Sequence, residues 1–91
     1  MSGKQKNKLP KWFDGVIYDK GETITNPYTG DSYALTKEEI SMYDLIKGAE
    51  MMISVGDWED KKDREELIEI IIKGLDWFKT NNAEAYMVLL D

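Results

Sequence analysis

Leu35-Thr36-Lys37-Glu38-Glu39-Ile40-Ser41-Met42 is the stretch on which the fold turns. Thr36 and Glu39 stand in S/T-x-x-E spacing, the capping box in which each side chain satisfies the other's orphan backbone amide at a helix start. Before Thr36 the chain is broken by Gly15, Gly21, Pro27 and Gly30, and after it the apolar residues recur at helical spacing. A β-rich segment therefore gives way to helices at Thr36.

Toward the N-terminus, the runs Gly15–Tyr18, Glu22–Thr25 and Ser32–Leu35 hold the Val, Ile, Thr and Tyr that suit a pleated, half-buried surface. Asp19-Lys20-Gly21 reads as a three-residue hairpin loop, with Gly21 in the left-handed position. Asn26-Pro27-Tyr28-Thr29-Gly30-Asp31 reads as a second turn, Pro27 fixing φ and Gly30 allowing a positive φ. Three short strands in an antiparallel meander follow from these two turns.

Toward the C-terminus, a helix is expected from Lys37 to about Ser54, stopped by Gly56. Met42, Leu45, Ile46, Ala49, Met52 and Ile53 form its buried stripe. A second helix is expected to begin near Asp60 or Asp63 and run to about Thr80, with Asp63, Glu65 and Glu66 at its positive end and Lys79 at the other. Leu67, Ile70, Ile71, Gly74 and Phe78 make one of its faces, and Ile68, Ile72 and Leu75 make another. An apolar arc that wide needs cover on more than one side. Asn81 with Glu84 caps a last short helix over about Asn82–Leu90. The expected class is α+β: a three-stranded meander followed by three helices on one face, the first two antiparallel.

The 91 residues suit one domain, assigned to residues 11–91 behind a disordered basic tail at residues 1–10. Lys4, Lys6, Lys8 and Lys11 give the first eleven residues four positive charges and no acid; the remaining eighty carry eight basic and eighteen acidic side chains, a net −10. A body so acidic repels phosphates and disfavours nucleic-acid binding. No apolar run approaches the ~20 residues of a membrane span, and Met1–Lys11 lacks the apolar core of a signal peptide. The cytoplasm is the expected compartment.

With no histidine and no cysteine, the Ser-His-Asp, Cys-His and zinc-thiolate architectures are closed. None of the four serines sits in G-x-S-x-G, and the glycines form neither a dinucleotide nor a phosphate loop. The acidic run beginning at Asp57 fails as a calcium loop, because Lys61, Lys62 and Ile68 stand at positions 5, 6 and 12. Asp14 and Asp19 read as turn residues rather than an acid–base pair. No metal, cofactor or catalytic residue is assigned.

Ten aromatics in 91 residues are the more informative feature. Packing between sheet and helices accounts for most of them. Trp12, Tyr28, Trp58 and Trp77 are the candidate interaction surface, since Trp and Tyr are enriched where proteins meet. Tyr28 also stands on the short rigid Asn26–Gly30 turn; that turn reads first as architectural support, and second as the kind of place from which binding loops work.

The blocks Lys11-Trp12-Phe13-Asp14-Gly15, Thr25-Asn26-Pro27-Tyr28-Thr29-Gly30 and Ser41-Met42-Tyr43-Asp44 resemble a family of small conserved proteins of unknown function from T-even-like marine cyanophages and related marine phages. The likeness covers about residues 11–48 closely and the C-terminal helices loosely. Each block alone is a weak signal; their combination is distinctive. It implies a phage-encoded protein at work in a bacterial cytoplasm, and it brings no activity and no functional residues.

The functional expectation is a non-enzymatic module that binds a host or phage protein. A homodimer through the Leu67–Phe78 helix and the last helix is expected from the surplus apolar surface. The alternatives are an acidic mimic of DNA built on residues 57–69, and a small ligand-binding or enzymatic module using Asp, Glu, Lys or Tyr.

Overall fold

Glu22–Thr25 (β1) and Ser32–Leu35 (β2) pair antiparallel, with Glu22 opposite Leu35, Thr23 opposite Ala34, Ile24 opposite Tyr33 and Thr25 opposite Ser32. This is a computed structural model, and it describes residues 8–56 and 61–90. Ile24 and Tyr33 share the face that packs on the helices, and Leu35, 4% exposed, belongs to the core proper.

The expected third strand is absent among the described residues: the sheet has two strands, and Gly15–Tyr18 pairs with neither. The Tyr18 amide is satisfied elsewhere, donating to Ser41 Oγ at 2.9 Å, and that hydroxyl donates in turn to the Lys37 carbonyl at 2.7 Å. The segment is thus tied to the first helix. Gly21 also departs from expectation, because Gly30 alone among the described residues has a positive φ, +83°. What Gly21 supplies is closeness: a Cβ built there would collide with the Leu35 carbonyl oxygen and crowd Thr36 Cα.

Lys37–Val55 forms α1. The capping box is present in full: Glu39 N–H donates to Thr36 Oγ1 (3.2 Å) and Thr36 N–H donates to Glu39 Oε1 (2.9 Å). The helix stops at Gly56, whose amide donates to the Met52 carbonyl. Met42 and Ile46 are fully buried and Ala49 nearly so, but Met52, assigned to the same stripe, is 53% exposed.

Lys61–Asn81 forms α2. It crosses α1 where Gly74 lies against Ile46; a Cβ on Gly74 would stand 2.5 Å from Ile46 Cγ1. Leu67 and Ile70 lie beside Met52 at the other end of the contact, so the two helices run antiparallel as expected. Phe78 is fully buried, and Trp77 meets it edge-on, with ring centroids 5.2 Å apart and an 88° interplanar angle. The apolar surplus on α2 narrows to the arc that holds Ile72, 61% exposed.

The last helical segment spans Ala83–Leu90, close to the expected length, but it changes type along the way. Ala83–Ala85 makes one α-helical turn (α3), followed by a π-helical turn over Tyr86–Leu90. Its cap is Asn82, one residue beyond the Asn81 of the sequence reading: Asn82 Oδ1 accepts from the Ala85 amide at 3.2 Å, while Asn81 Nδ2 turns back to the Trp77 carbonyl. Ala85 and Leu89 close the core.

Folded chain also begins earlier than the tail boundary at residue 10. Lys8 offers its carbonyl to Trp77 Nε1 at 3.2 Å, and Leu9 packs against the core. Residues 1–7 of the expected tail lie outside the described residues. Among the described residues no helix is long and apolar enough to cross a membrane.

Candidate functional site

The turn between β1 and β2 carries the most exposed aromatic side chain in the described structure. Tyr28 is 93% exposed, yet the backbone beneath it is held at every step. Asn26 accepts at its carbonyl from the Gly30 amide (2.8 Å) and donates its own amide to the Asp31 carbonyl (2.8 Å). The Asn26 side chain accepts from Tyr28 N–H at 2.8 Å, and Asp31 N–H donates to Thr29 Oγ1 at 3.2 Å. These are the Asx and Ser/Thr turns that such residues form locally. The second half of the Asn26 amide reaches across the fold, its Nδ2 donating to the Val88 carbonyl at 2.9 Å. Thr25 and Ser32 close the strand ends with a 2.7 Å bond between their hydroxyls.

Behind this turn lies a cleft of about 270 Å3 between the loop, α1 and the π-helical turn, walled by Pro27, Tyr28, Tyr43, Leu89 and Leu90. Lys47 stands at its rim, with Nζ 5.7 Å from the Tyr43 ring centroid and 3.4 Å from a Glu50 carboxylate oxygen. The walls are apolar and aromatic, and the Asn26 amide is already occupied, so the cleft offers contact area and a few hydrogen-bonding tips rather than a reactive group.

A second polar assembly lies under the sheet and is structural. Glu39 is 2% exposed; one carboxylate oxygen takes the Thr36 amide and the other accepts from Asn82 Nδ2 at 2.8 Å. The Tyr33 hydroxyl reaches Asn82 Oδ1 (3.3 Å) and Glu84 Oε1 (3.2 Å). Burial holds the Tyr33 hydroxyl above its ordinary pKa of 10.0, with the Glu84 carboxylate adding to it. On the other side of α1 the Asp44 carboxylate does the same to Tyr18. A phenol that keeps its proton longer in the folded state leaves stability intact below pH 10 and lowers it as the pH climbs past that value. The melting temperature should therefore fall above about pH 10, and the double variant Tyr18→Phe/Tyr33→Phe should fall less steeply. Equal slopes in calorimetry would remove the two phenols from the account.

The four aromatics of the expected surface part company. Tyr28 is presented to solvent. Trp12 is half-buried against the core, with Lys73 Nζ 5.7 Å from its ring centroid. Trp77 is 8% exposed and serves as a core anchor for Lys8, so it offers little to a partner. Trp58 lies outside the described residues. The side chains that do converge on Tyr28 are Tyr43 and Lys47, one helical turn apart on α1, and Leu89 and Leu90. The i, i+4 spacing of Tyr43 and Lys47 was visible in the sequence, but nothing local announced that the turn carrying Tyr28, 15 and 19 residues earlier, would fold over them.

The carboxylates Glu65, Glu66 and Glu69 of α2 border a broad depression of about 680 Å3 together with Ile68, Ile72, Lys62 and Lys73. Apolar and basic residues thus interrupt the acids. Among the described residues no group of three or more Asp or Glu side chains is placed to hold a metal ion. No protein-family model, curated protein or solved structure matches the chain.

Proposed function

We propose that this protein is a non-enzymatic interaction module that engages a protein partner through Tyr28 and the cleft beside it. The observation that carries this reading is the pairing of a 93% exposed aromatic with a backbone fixed by four hydrogen bonds within the turn and one to Val88. A rigid loop loses little entropy on docking, and a tyrosine provides large contact area with two side-chain torsions. The likeness to marine phage proteins makes a host or phage protein in a bacterial cytoplasm the partner class. A nucleic-acid mimic is the weaker alternative, because Ile68, Ile72 and Lys73 lie among its carboxylates. Self-association through α2 and the last turn is a second form of the same reading, favoured by Ile72 and Met87, which are 61% and 67% exposed.

Immobilised protein should retain a stoichiometric partner from phage-infected lysate. Tyr28→Ala should weaken that capture at least about tenfold, as truncating an interface anchor does, and leave the melting temperature nearly unchanged because the side chain is 93% exposed. Equal capture by the variant, or no stoichiometric partner for either, would defeat the reading. Sedimentation of the free protein reads the second form directly, a species above 10.5 kDa being the dimer.

A further inference from the structure

The chain between Lys8 and Gly21 lies on the helices without pairing to any element. Among the described residues its main chain is tied to the rest of the molecule at two atoms: the Lys8 carbonyl, held by Trp77 Nε1 at 3.2 Å, and the Tyr18 amide, held by Ser41 Oγ at 2.9 Å. Its one internal bond, from Phe13 N–H to the Pro10 carbonyl at 3.1 Å, closes a turn over residues 10–13. Segments with so few main-chain bonds open more readily than paired strands and helices.

Residues 8–13 sit on α2 as a bound peptide would. Leu9, Trp12 and Phe13 are laid on the core, each of them half-buried. Lys73 and Trp77, one helical turn apart, make the receiving surface: the Trp77 indole donates to the Lys8 carbonyl, and the Lys73 ammonium stands 5.7 Å from the Trp12 ring centroid. A Cβ built on Gly15 would meet both the Phe13 ring and the Leu45 side chain, which brings Phe13 to α1. Beyond it, Val16 and Ile17 are exposed, so the joining segment can reorient without uncovering apolar surface. Trp77 is 8% exposed; with residues 8–13 in place it is shut off, and with them lifted its indole N–H faces solvent. This seat shares no residue with the Tyr28 cleft.

We propose that residues 8–13 are a displaceable strap, an intramolecular ligand that leaves its seat on α2 while the sheet and helices stay folded, and that the uncovered seat takes an equivalent segment from a partner protein. The chemistry of that partner follows from the occupant already in place: a leucine followed three residues later by a tryptophan, with a main-chain carbonyl for the Trp77 indole. Lys8 and Lys11 accompany these residues, and the eighty residues beyond Lys11 carry net −10, so a basic segment is attracted. Being tethered, the strap competes at an effective concentration on the order of millimolar, and a partner must outbind it to enter.

Two measurements test this on the full chain. In hydrogen exchange followed by NMR, the Trp77 indole N–H should be protected at least about a hundredfold less, relative to its free rate, than the Ile46 amide, because lifting the strap frees the first and only global unfolding frees the second. A labelled, end-capped peptide of residues 8–14 should bind the unaltered chain weakly and Leu9→Ala/Trp12→Ala at least about tenfold more tightly, since more of that variant has its seat open. The same peptide with alanine in place of its leucine and tryptophan should bind neither chain. Tyr28→Ala should bind the peptide as the unaltered chain does, which keeps the strap and the Tyr28 cleft separately testable. Equal protection of the indole and Ile46 would tie the strap to the global fold and overturn the proposal, and this readout stands even if the double variant fails to fold. Equal binding of the peptide by the unaltered chain and the folded double variant, or equal binding of the two peptides, would overturn it as well.

Discussion

Gly21→Ala is expected to remove about 3 kcal/mol or more, in the severe class of single substitutions that collide with backbone. The effect is large because the methyl group meets the Leu35 carbonyl oxygen and, beyond it, Thr36 Cα. A side chain in the way can rotate; a carbonyl at the end of β2 can move only with the strand. Glu22 pairs with Leu35 directly beside the collision, so the strands must splay or the start of α1 must shift, and Thr36 is the cap of that helix. A domain of this size has a total stability of roughly 5–15 kcal/mol, so the variant should lose a large share of it. Chemical denaturation would show a lower midpoint with an unchanged slope if only stability is lost. A cost below about 1 kcal/mol would mean that the strand end yields freely, contrary to the packing of Leu35 in the core.

Asn82→Ala is expected to cost about 3 kcal/mol, because one side chain serves three partners. Its amide nitrogen gives Glu39 the second of its two hydrogen bonds, its oxygen caps α3 through the Ala85 amide, and the same oxygen accepts from the Tyr33 hydroxyl. Truncation leaves one oxygen of a 2% exposed carboxylate without that donor, at about 1–3 kcal/mol and more when the group is charged. The lost cap adds about 1 kcal/mol. Asn82→Ser separates the two, since serine can cap but cannot reach Glu39, and should recover about the capping share. Denaturation midpoints for the pair measure this; identical losses would assign no stability to the cap, and a loss under about 1 kcal/mol would show that Glu39 does not need the amide.

These two sites show where the sequence was legible and where it was not. The Thr36–Glu39 box could be read because cap chemistry lies within four residues, and helix starts, stops and the antiparallel pairing of α1 with α2 followed from it and from periodicity. The choice between Asn81 and Asn82 could not be read: both can cap, and the decision rests with Glu39, forty-three residues earlier in the chain. Gly15–Tyr18 has the composition of a strand, but composition does not supply a pairing partner, and Ser41 took its amide instead. Gly21 was legible as a position where only glycine serves, with the reason wrong, since close approach and positive φ leave the same mark in a sequence. Among the aromatics, Tyr28 was recognisable from its rigid turn, whereas Trp77 was not distinguishable from a surface tryptophan until its indole was seen to hold Lys8.

The bond from Asn26 Nδ2 to the Val88 carbonyl spans sixty-two residues of chain, and it sets an order of events in folding. The six-residue loop between β1 and β2 closes quickly, while a contact of that separation must wait for the intervening helices to dock. The β-turn can thus form early, but the orientation in which it presents Tyr28 is among the last things the chain decides. Asn26→Asp, which keeps the acceptor for Tyr28 N–H and removes the donor to Val88, should accordingly speed unfolding and leave the folding rate nearly unchanged, a φ-value near zero in a chevron analysis; a value near one would place the tie in the folding nucleus. On this view the β1–β2 loop is a late-ripening part of the molecule, and a chain caught before Val88 arrives has the tyrosine but no fixed direction for it.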